Sequence, residues 1–364
     1  MRNTFLTILV LLAGSISFVV FKSNAGIQKL TVKSESNQEI SPSQEPTGIP
    51  DQKVLKSNYH IYQSFNNCGP ASLSMALSHY SINASQEELG KALRPYQNPA
   101  GDNDDKSVTL EELGNKVVDY NLIPFHRPDG DIELLTRLIA LDLPVITRTW
   151  LTKDEDIGHY RVVTGYDKTS GEIIQDDSYQ GPNRRYSYEE FDELWSKFGY
   201  EYLVLVPPEK KNEVEKALGD EVDKTVAWEH AKQKAQKILA ENPDDTTARF
   251  NLSVAEYYLG NYKQSVEEYE KVRDRLPFRT LWYQSEPIRA YFELQAYDKV
   301  FSITDNILKN QNRAYSELYI IRGDSYMKQN QPKLAKQEYE KAAYYNQNLQ
   351  IAEDRLQSLS VTQQ

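Results

Sequence analysis

The chain contains one cysteine in 364 residues. A lone thiol excludes an internal disulfide framework and any zinc site built on cysteine pairs. Histidine is scarce as well: there are five, and no two stand at i, i+4, so no metal set is expected. No G-x-x-x-x-G-K-[ST] string occurs, which removes a phosphate-cradling loop for ATP. No cofactor is implied. Basic residues (42) are fewer than acidic ones (53), leaving a formal charge of −11. A surface of that sign repels phosphate backbones and argues against nucleic acid as a partner.

Long apolar runs are absent except for one. Arg2 precedes a nearly unbroken apolar stretch from Phe5 to Phe21, closed by Lys22. It has no polar face to solvate, so residues 1–25 read as a membrane anchor or a signal peptide, with Ser23-Asn24-Ala25 offering small residues for cleavage. No cysteine follows the run, so it is not a lipoprotein signal. Either reading makes the remainder extracytoplasmic, membrane-anchored or secreted. Exported chains use cysteine mostly in pairs, and Cys68 has no partner. It is therefore either an inert buried hydrophobe or a reactive thiol.

Residues 26–57 are polar, with scattered serines and prolines, and read as a flexible linker. Globular patterning spans 58–207. Its first half is helical: Leu73, Ala76, Leu77 and Tyr80 share a helix face, and 87–93, 110–120 and 133–141 form three more helices. The second half changes period, with short strands expected at 144–150, 159–166, 172–175 and 202–206. Helices followed by strands predict an α+β domain with an antiparallel sheet. A charged connector, 208–221, follows Pro207-Pro208.

Strand signals then vanish, and small and aromatic residues recur every 34 to 35 positions through 222–360. The set Ala255, Tyr257, Gly260, Tyr262, Tyr269 and Pro277 returns as Ala290, Tyr291, Leu294 and Tyr297, then as Gly323, Tyr326, Asn330, Ala335 and Tyr339. This pattern resembles tetratricopeptide repeats, with Ser265 and Val300 departing from the usual Ala. The resemblance implies an all-α domain able to recruit a protein partner, and the abrupt change in pattern predicts that it folds independently.

The chemistry-bearing stretch is Gln63-Ser64-Phe65-Asn66-Asn67-Cys68-Gly69-Pro70-Ala71. Pro70 suits a first helical turn, which puts the thiol at a helix N-terminus, where unpaired N–H groups and the dipole favour its anion. Gln63 can aim its amide at the same point as an oxyanion donor. Among the histidines, His60 precedes the motif, His79 ends the same helix, His126 sits in a Pro-flanked loop, and His230 lies among the repeats. His159 opens the strand Gly158-His159-Tyr160-Arg161-Val162-Val163, where a side chain can look into a cleft. Asp177, eighteen residues on, can return beside it across a hairpin to orient its ring.

Gln–four residues–Cys-Gly-Pro-Ala, then Gly-His-Tyr-x-Val-Val-x-Gly-Tyr-Asp, then Asp near Ser-Tyr-x-Gly, resembles the papain-like double-glycine cysteine peptidases of bacteriocin-processing type, in their stand-alone form. The likeness implies a papain-like fold with Cys68 as nucleophile, His159 as base and acid, Asp177 as orienter and Gln63 in the oxyanion hole. That family favours Asn-Asp-Pro where this chain has Asp176-Asp177-Ser178, so Asp176 remains an alternative. A charged insertion, 102–106, also departs from it. The expectation is a cysteine peptidase acting on peptides or proteins, with a repeat domain that recruits substrate or partner. The alternatives are an inactive papain-like scaffold carrying an envelope assembly module, and another acyl transfer such as amide hydrolysis of cell-wall peptide or transglutamination.

Overall fold

In Tyr202-Leu203-Val204-Leu205-Val206 every side chain is buried, which a strand achieves only with cover on both faces. The computed structural model, which describes residues 48–56, 59–94 and 108–362, supplies that cover. Tyr202, Val204 and Val206 share one core with Leu134, Leu138, Phe191 and Trp195. Leu203 and Leu205 share the other with Leu73, Leu77, Leu113 and Val117.

The strands are β1 (Gln52–Val54), β2 (Ile123–Arg127), β3 (Val145–Thr152), β4 (Glu155–Asp167), β5 (Glu172–Asp177), β6 (Gly181–Ser187) and β7 (Tyr202–Val206). They form one sheet in the order β2-β7-β3-β4-β5-β6, with β1 paired to β4. Every pairing is antiparallel. Helices α1 (Cys68–Ser78), α2 (Gln86–Leu93) and α3 (Leu110–Val117) cover one face. Helices α4 (Ile132–Ala140), α5 (Tyr188–Trp195) and α6 (Lys211–Leu218) cover the other. Reciprocal Ser/Thr–Glu capping boxes start α2, α3 and α5, satisfying N–H groups that the first turn leaves open.

The α+β architecture and its antiparallel sheet agree with the reading from sequence, but several boundaries do not. β1 and the buried Leu55 lie inside the stretch read as linker. The strand has no apolar alternation and is held by backbone pairing, Gln52 opposite Asp167 and Val54 opposite Gly165. His126 lies in strand β2, not a loop; Pro124 is tolerated there because β2 is an edge strand, paired only with β7. β4 begins at Glu155, so His159 stands within the strand rather than at its entrance. The connector is no spacer either, since α6 places Val214 and Leu218 in the core with Leu134. The N-terminal segment 1–25, most of the linker and the insertion 102–106 lie outside the described residues. Among the described residues no helix is long and apolar enough to cross a membrane.

Beyond α6 the chain is helical: α7 (Lys224–Glu241), α8 (Thr246–Tyr258), α9 (Tyr262–Glu270), α10 (Thr280–Tyr283), α11 (Glu286–Glu293), α12 (Tyr297–Asn310), α13 (Ser316–Lys328), α14 (Pro332–Tyr345) and α15 (Gln350–Thr362). The pairs α8–α9, α11–α12 and α13–α14 each turn on a left-handed residue: Gly260 (φ 77°), Gln295 (φ 59°) and Asn330 (φ 58°). These lie 35 residues apart, so the turn repeats with the sequence period. Gly323 faces the Tyr339 ring so closely that a Cβ would overlap it, which is why a small residue is needed there. The repeat core runs from Trp228 to Leu359 and borrows nothing from the sheet domain.

The two regions nevertheless form one compact unit from Gly48 onward. Their seam joins polar contacts to the aromatic packing of Tyr283 against Phe198. Arg94 pairs with Glu317 at 2.6 Å, Asn251 donates to the Ser196 carbonyl at 2.8 Å, and Gln284 donates to the Lys197 carbonyl at 3.1 Å. The repeats have a core of their own, and the seam holds them against the sheet domain within one unit.

Candidate active site

Cys68 is the first residue of α1, following Asn67. As a first-turn residue its N–H has no acceptor inside the helix. His159 and Asp177 come from neighbouring strands: in the β4–β5 register Asp177 stands opposite Arg161, two residues along from His159 and on the same face. His159 Nε2 lies 2.9 Å from Asp177 Oδ1, both side chains buried. With Nε2 donating to the carboxylate, Nδ1 is the unprotonated nitrogen, an acceptor.

Asp177 is itself held. Its Oδ1 accepts from the Tyr179 N–H at 2.7 Å and the Gln180 N–H at 2.9 Å. Its Oδ2 lies 2.9 Å from Arg161 Nε, an ion pair bent too far to be a hydrogen bond. Burial alone would raise the Asp177 carboxyl. The hydrogen bond from His159, the charges of His159 and Arg161 and the Gln180 N–H outweigh it and hold the group well below the usual carboxylate range. Asp176 points elsewhere, its Oδ1 accepting from the Asn183 N–H at 2.9 Å. Of the two carboxylates, the structure brings Asp177 to the histidine.

Gln63 is fixed from both sides. Its N–H donates to the Ser178 carbonyl at 2.8 Å, and its Oε1 accepts from Ser178 Oγ at 2.9 Å. Among the described residues its amide NH₂ has no hydrogen-bond partner, as an oxyanion donor requires. Gln63, Cys68 and His159 line one open cleft of about 610 Å³.

Residues 51–203 match the model of the Peptidase C39-like family, and residues 316–349 match that of the tetratricopeptide repeat. The sheet domain is a Peptidase C39-like domain. Similar solved structures include a C39-like peptidase from Bacillus anthracis, with 17% identity over 43% of this chain and 97% of that one (TM-score 0.36). The peptidase domain of ComA, a bifunctional ABC transporter of Streptococcus involved in quorum sensing, shows 23% identity over 40% and 96% (TM-score 0.32). A double-glycine-motif protease from an AMS/PCAT transporter, in complex with leader peptide, shows 18% identity over 42% and 94% (TM-score 0.32). No curated protein matches the chain.

Within the C39-like domain the electrostatics depart from the reading of sequence in one respect. The reading of sequence expects the helix end to favour the thiolate. Instead burial pushes the Cys68 thiol up to about 11; the N–H groups of Tyr160 and Gly69 and the charge of Arg148 pull it down without prevailing, and the Asp177 charge adds to the rise. Burial also holds His159 below its ordinary value, against the pull of Asp177. Burial thus disfavours the charged form of both Cys68 and His159, which line the same cleft. A helix terminus contributes about 0.3–1 kcal/mol, up to ~2 in favourable partly buried geometries, and full desolvation exceeds that.

Two positioning residues escaped the reading of sequence. Arg161 is wholly buried and also donates to the carbonyls of Trp150 at 2.8 Å and Leu151 at 2.7 Å. Its spacing of two from His159 on one strand was the available signal. Arg148, buried under the site, stacks on Phe198 with its guanidinium carbon 4.5 Å from the ring centroid. A charged residue in the otherwise apolar start of β3 could have marked it.

The other histidines stand apart from this chemistry. His60 bonds the Asp177 carbonyl through Nε2 at 2.9 Å, and His126 is buried and held down to about 3 by desolvation. As for metals, Asp129, Glu221 and His230 lie within ligand distance of one another. Lys234 already pairs with Asp129 there at 2.8 Å.

Proposed function

We propose that the chain is a cysteine peptidase hydrolysing peptide or protein substrates outside the cytoplasm, anchored or exported through residues 1–25. The observation that carries this reading is the His159–Asp177 hydrogen bond at 2.9 Å, with His159 and the chain's one thiol, Cys68, lining the same open cleft.

Burial, which disfavours the charged form of both groups, favours general-base attack. As substrate enters, His159 Nδ1 takes the proton from Cys68 Sγ while the sulfur bonds the scissile carbonyl carbon. The carbonyl π electrons move to oxygen, giving an oxyanion that the first-turn N–H groups of α1 and the Gln63 NH₂ can stabilise. The imidazolium, stabilised by Asp177, returns its proton to the leaving amine as the C–N bond breaks. Water, deprotonated by His159, then attacks the thioester, and Cys68 leaves with the proton. Asp177 remains a carboxylate throughout, held by Arg161 and two backbone N–H groups.

A second reading has one specific observation in its favour: a thiol this buried, with its pKa raised, also suits an inert scaffold carrying a repeat-based assembly module. The two are separated by digesting a peptide library with the full chain and with Cys68→Ala, reading new amino termini by mass spectrometry. Cleavage that requires Cys68 supports the peptidase, and its absence under all conditions supports the scaffold.

A further inference from the structure

The catalytic cleft has a wall that does not belong to the C39-like domain. Arg279, Trp282, Tyr283 and Gln311, all from the helical-repeat region, line the same space as Cys68 and His159. These residues are fastened. Arg279 donates to Asp156 twice, from its backbone N–H at 2.8 Å and its guanidinium at 2.6 Å. Asp156 lies on β4, three residues before His159. The Arg279 guanidinium carbon sits 5.4 Å from the Trp282 ring centroid, and Trp282 Nε1 donates to Gln311 Oε1 at 2.9 Å. Tyr283 is seated against the catalytic strand: a Cβ on Gly158 would come within 3.0 Å of its ring. Its backbone carbonyl accepts from Arg148 at 3.2 Å.

The chemistry of the lining narrows what this wall can accept. Among the described residues no carboxylate lines the cleft, and its one guanidinium, on Arg279, is already paired with Asp156. Trp282 and Tyr283 meet Leu151, Ile157 and the exposed Phe65 and Tyr179 around the same opening. Such a surface gains from an aromatic or large apolar side chain and offers a charged one no counter-ion.

We infer that the repeat region completes the substrate site, Trp282 and Tyr283 forming a subsite for an aromatic or large apolar side chain of an extended peptide. This rests on the peptidase reading and names the substrate feature it selects. The repeats are then part of the cleft itself, and Trp282 is a specificity-determining residue.

The test uses the full chain carrying Cys68→Ser, so that binding is read without turnover. Fluorescently labelled hexapeptides carrying Phe, Ala, Glu or Lys at one position, with that position walked along the peptide, are titrated by anisotropy. At one position Phe should bind about three- to tenfold more tightly than Ala, the range a single aromatic contact supplies, with Glu and Lys no better than Ala. Trp282→Ala should bring the Phe-to-Ala ratio close to one, and Trp282→Phe should restore most of it. Gln311→Ala, which removes the hydrogen bond to Trp282 and a polar group from the cleft lining while leaving both aromatic rings, should lower the ratio part-way and covers the case of a poorly folded Trp282→Ala. Variants that keep the parent's ratio, or a parent with no aromatic preference at any position, overturn the assignment. The peptidase reading fails separately: a wild-type chain that binds Phe peptides through Trp282 yet cleaves none refutes hydrolysis and leaves the subsite standing.

Discussion

Alkylation of Cys68 separates a buried neutral thiol from a preformed thiolate. Moving the pKa from 9.0 to about 11 cuts the thiolate fraction about 100-fold at pH 8 and below. Iodoacetamide reacts with the thiolate, so at pH 8 the folded chain should alkylate about 100-fold more slowly than the same chain in denaturing urea. The folded rate should keep climbing past pH 9, where the denatured rate levels off. His159→Ala should change the folded rate little, because burial disfavours an imidazolium there. The same shift has a consequence for stability. The unfolded thiol loses its proton from about pH 9 upward while the folded one keeps it to about 11. Stability should therefore fall across that window, by up to ~3 kcal/mol from this group, and Cys68→Ser should lack this component. Folded protein that alkylates faster than denatured protein below pH 7, or that loses this reactivity with His159→Ala, would refute the reasoning and restore the ion pair.

Asp177→Ala should lower peptide turnover on the order of 10²–10⁴-fold, because the imidazole loses the partner that fixes its tautomer. Asp176→Ala should stay within several-fold in the same assay; the reverse ranking would move the orienting role to Asp176. Arg161→Met removes the cation from the buried Asp177 carboxylate and should cost about 3–5 kcal/mol in urea unfolding, as breaking one side of a buried pair does. A loss under 1 kcal/mol would mean that the two backbone N–H groups suffice. A fragment spanning 224–362 should be helical by circular dichroism and unfold cooperatively, since its core is its own; an unstructured fragment would show that the seam is required.

The site was legible where chemistry is local and obscure where it is not. Cys68, Gly69 and Pro70 announce a helix start within three residues, and α1 begins there. The strand carrying His159 was legible from Val162 and Val163, and the return of a carboxylate from the hairpin. The choice between Asp176 and Asp177 was not, because adjacent strand residues face opposite sides and only the β4–β5 register decides. Arg161 was within reach by the same period of two. The thiol's burial was out of reach, for it depends on the packed surround of α1 rather than on its own neighbours in sequence. Strands β1 and β6 escaped because backbone pairing, not apolar alternation, holds them; β6 is mostly exposed. The short helix α10 lies between repeat units, where the period of 35 residues carries no information.

The most direct test of the account is to trap the covalent intermediate. The full chain is mixed with a cleavable peptide, quenched in acid within milliseconds to seconds, and its intact mass and tryptic peptides are measured. The account predicts an acyl adduct on the Cys68 peptide, a mass increase equal to the amino-terminal product less one water, formed by the wild type and absent from His159→Ala. New amino termini generated without any adduct, and equally by Cys68→Ala, would contradict it.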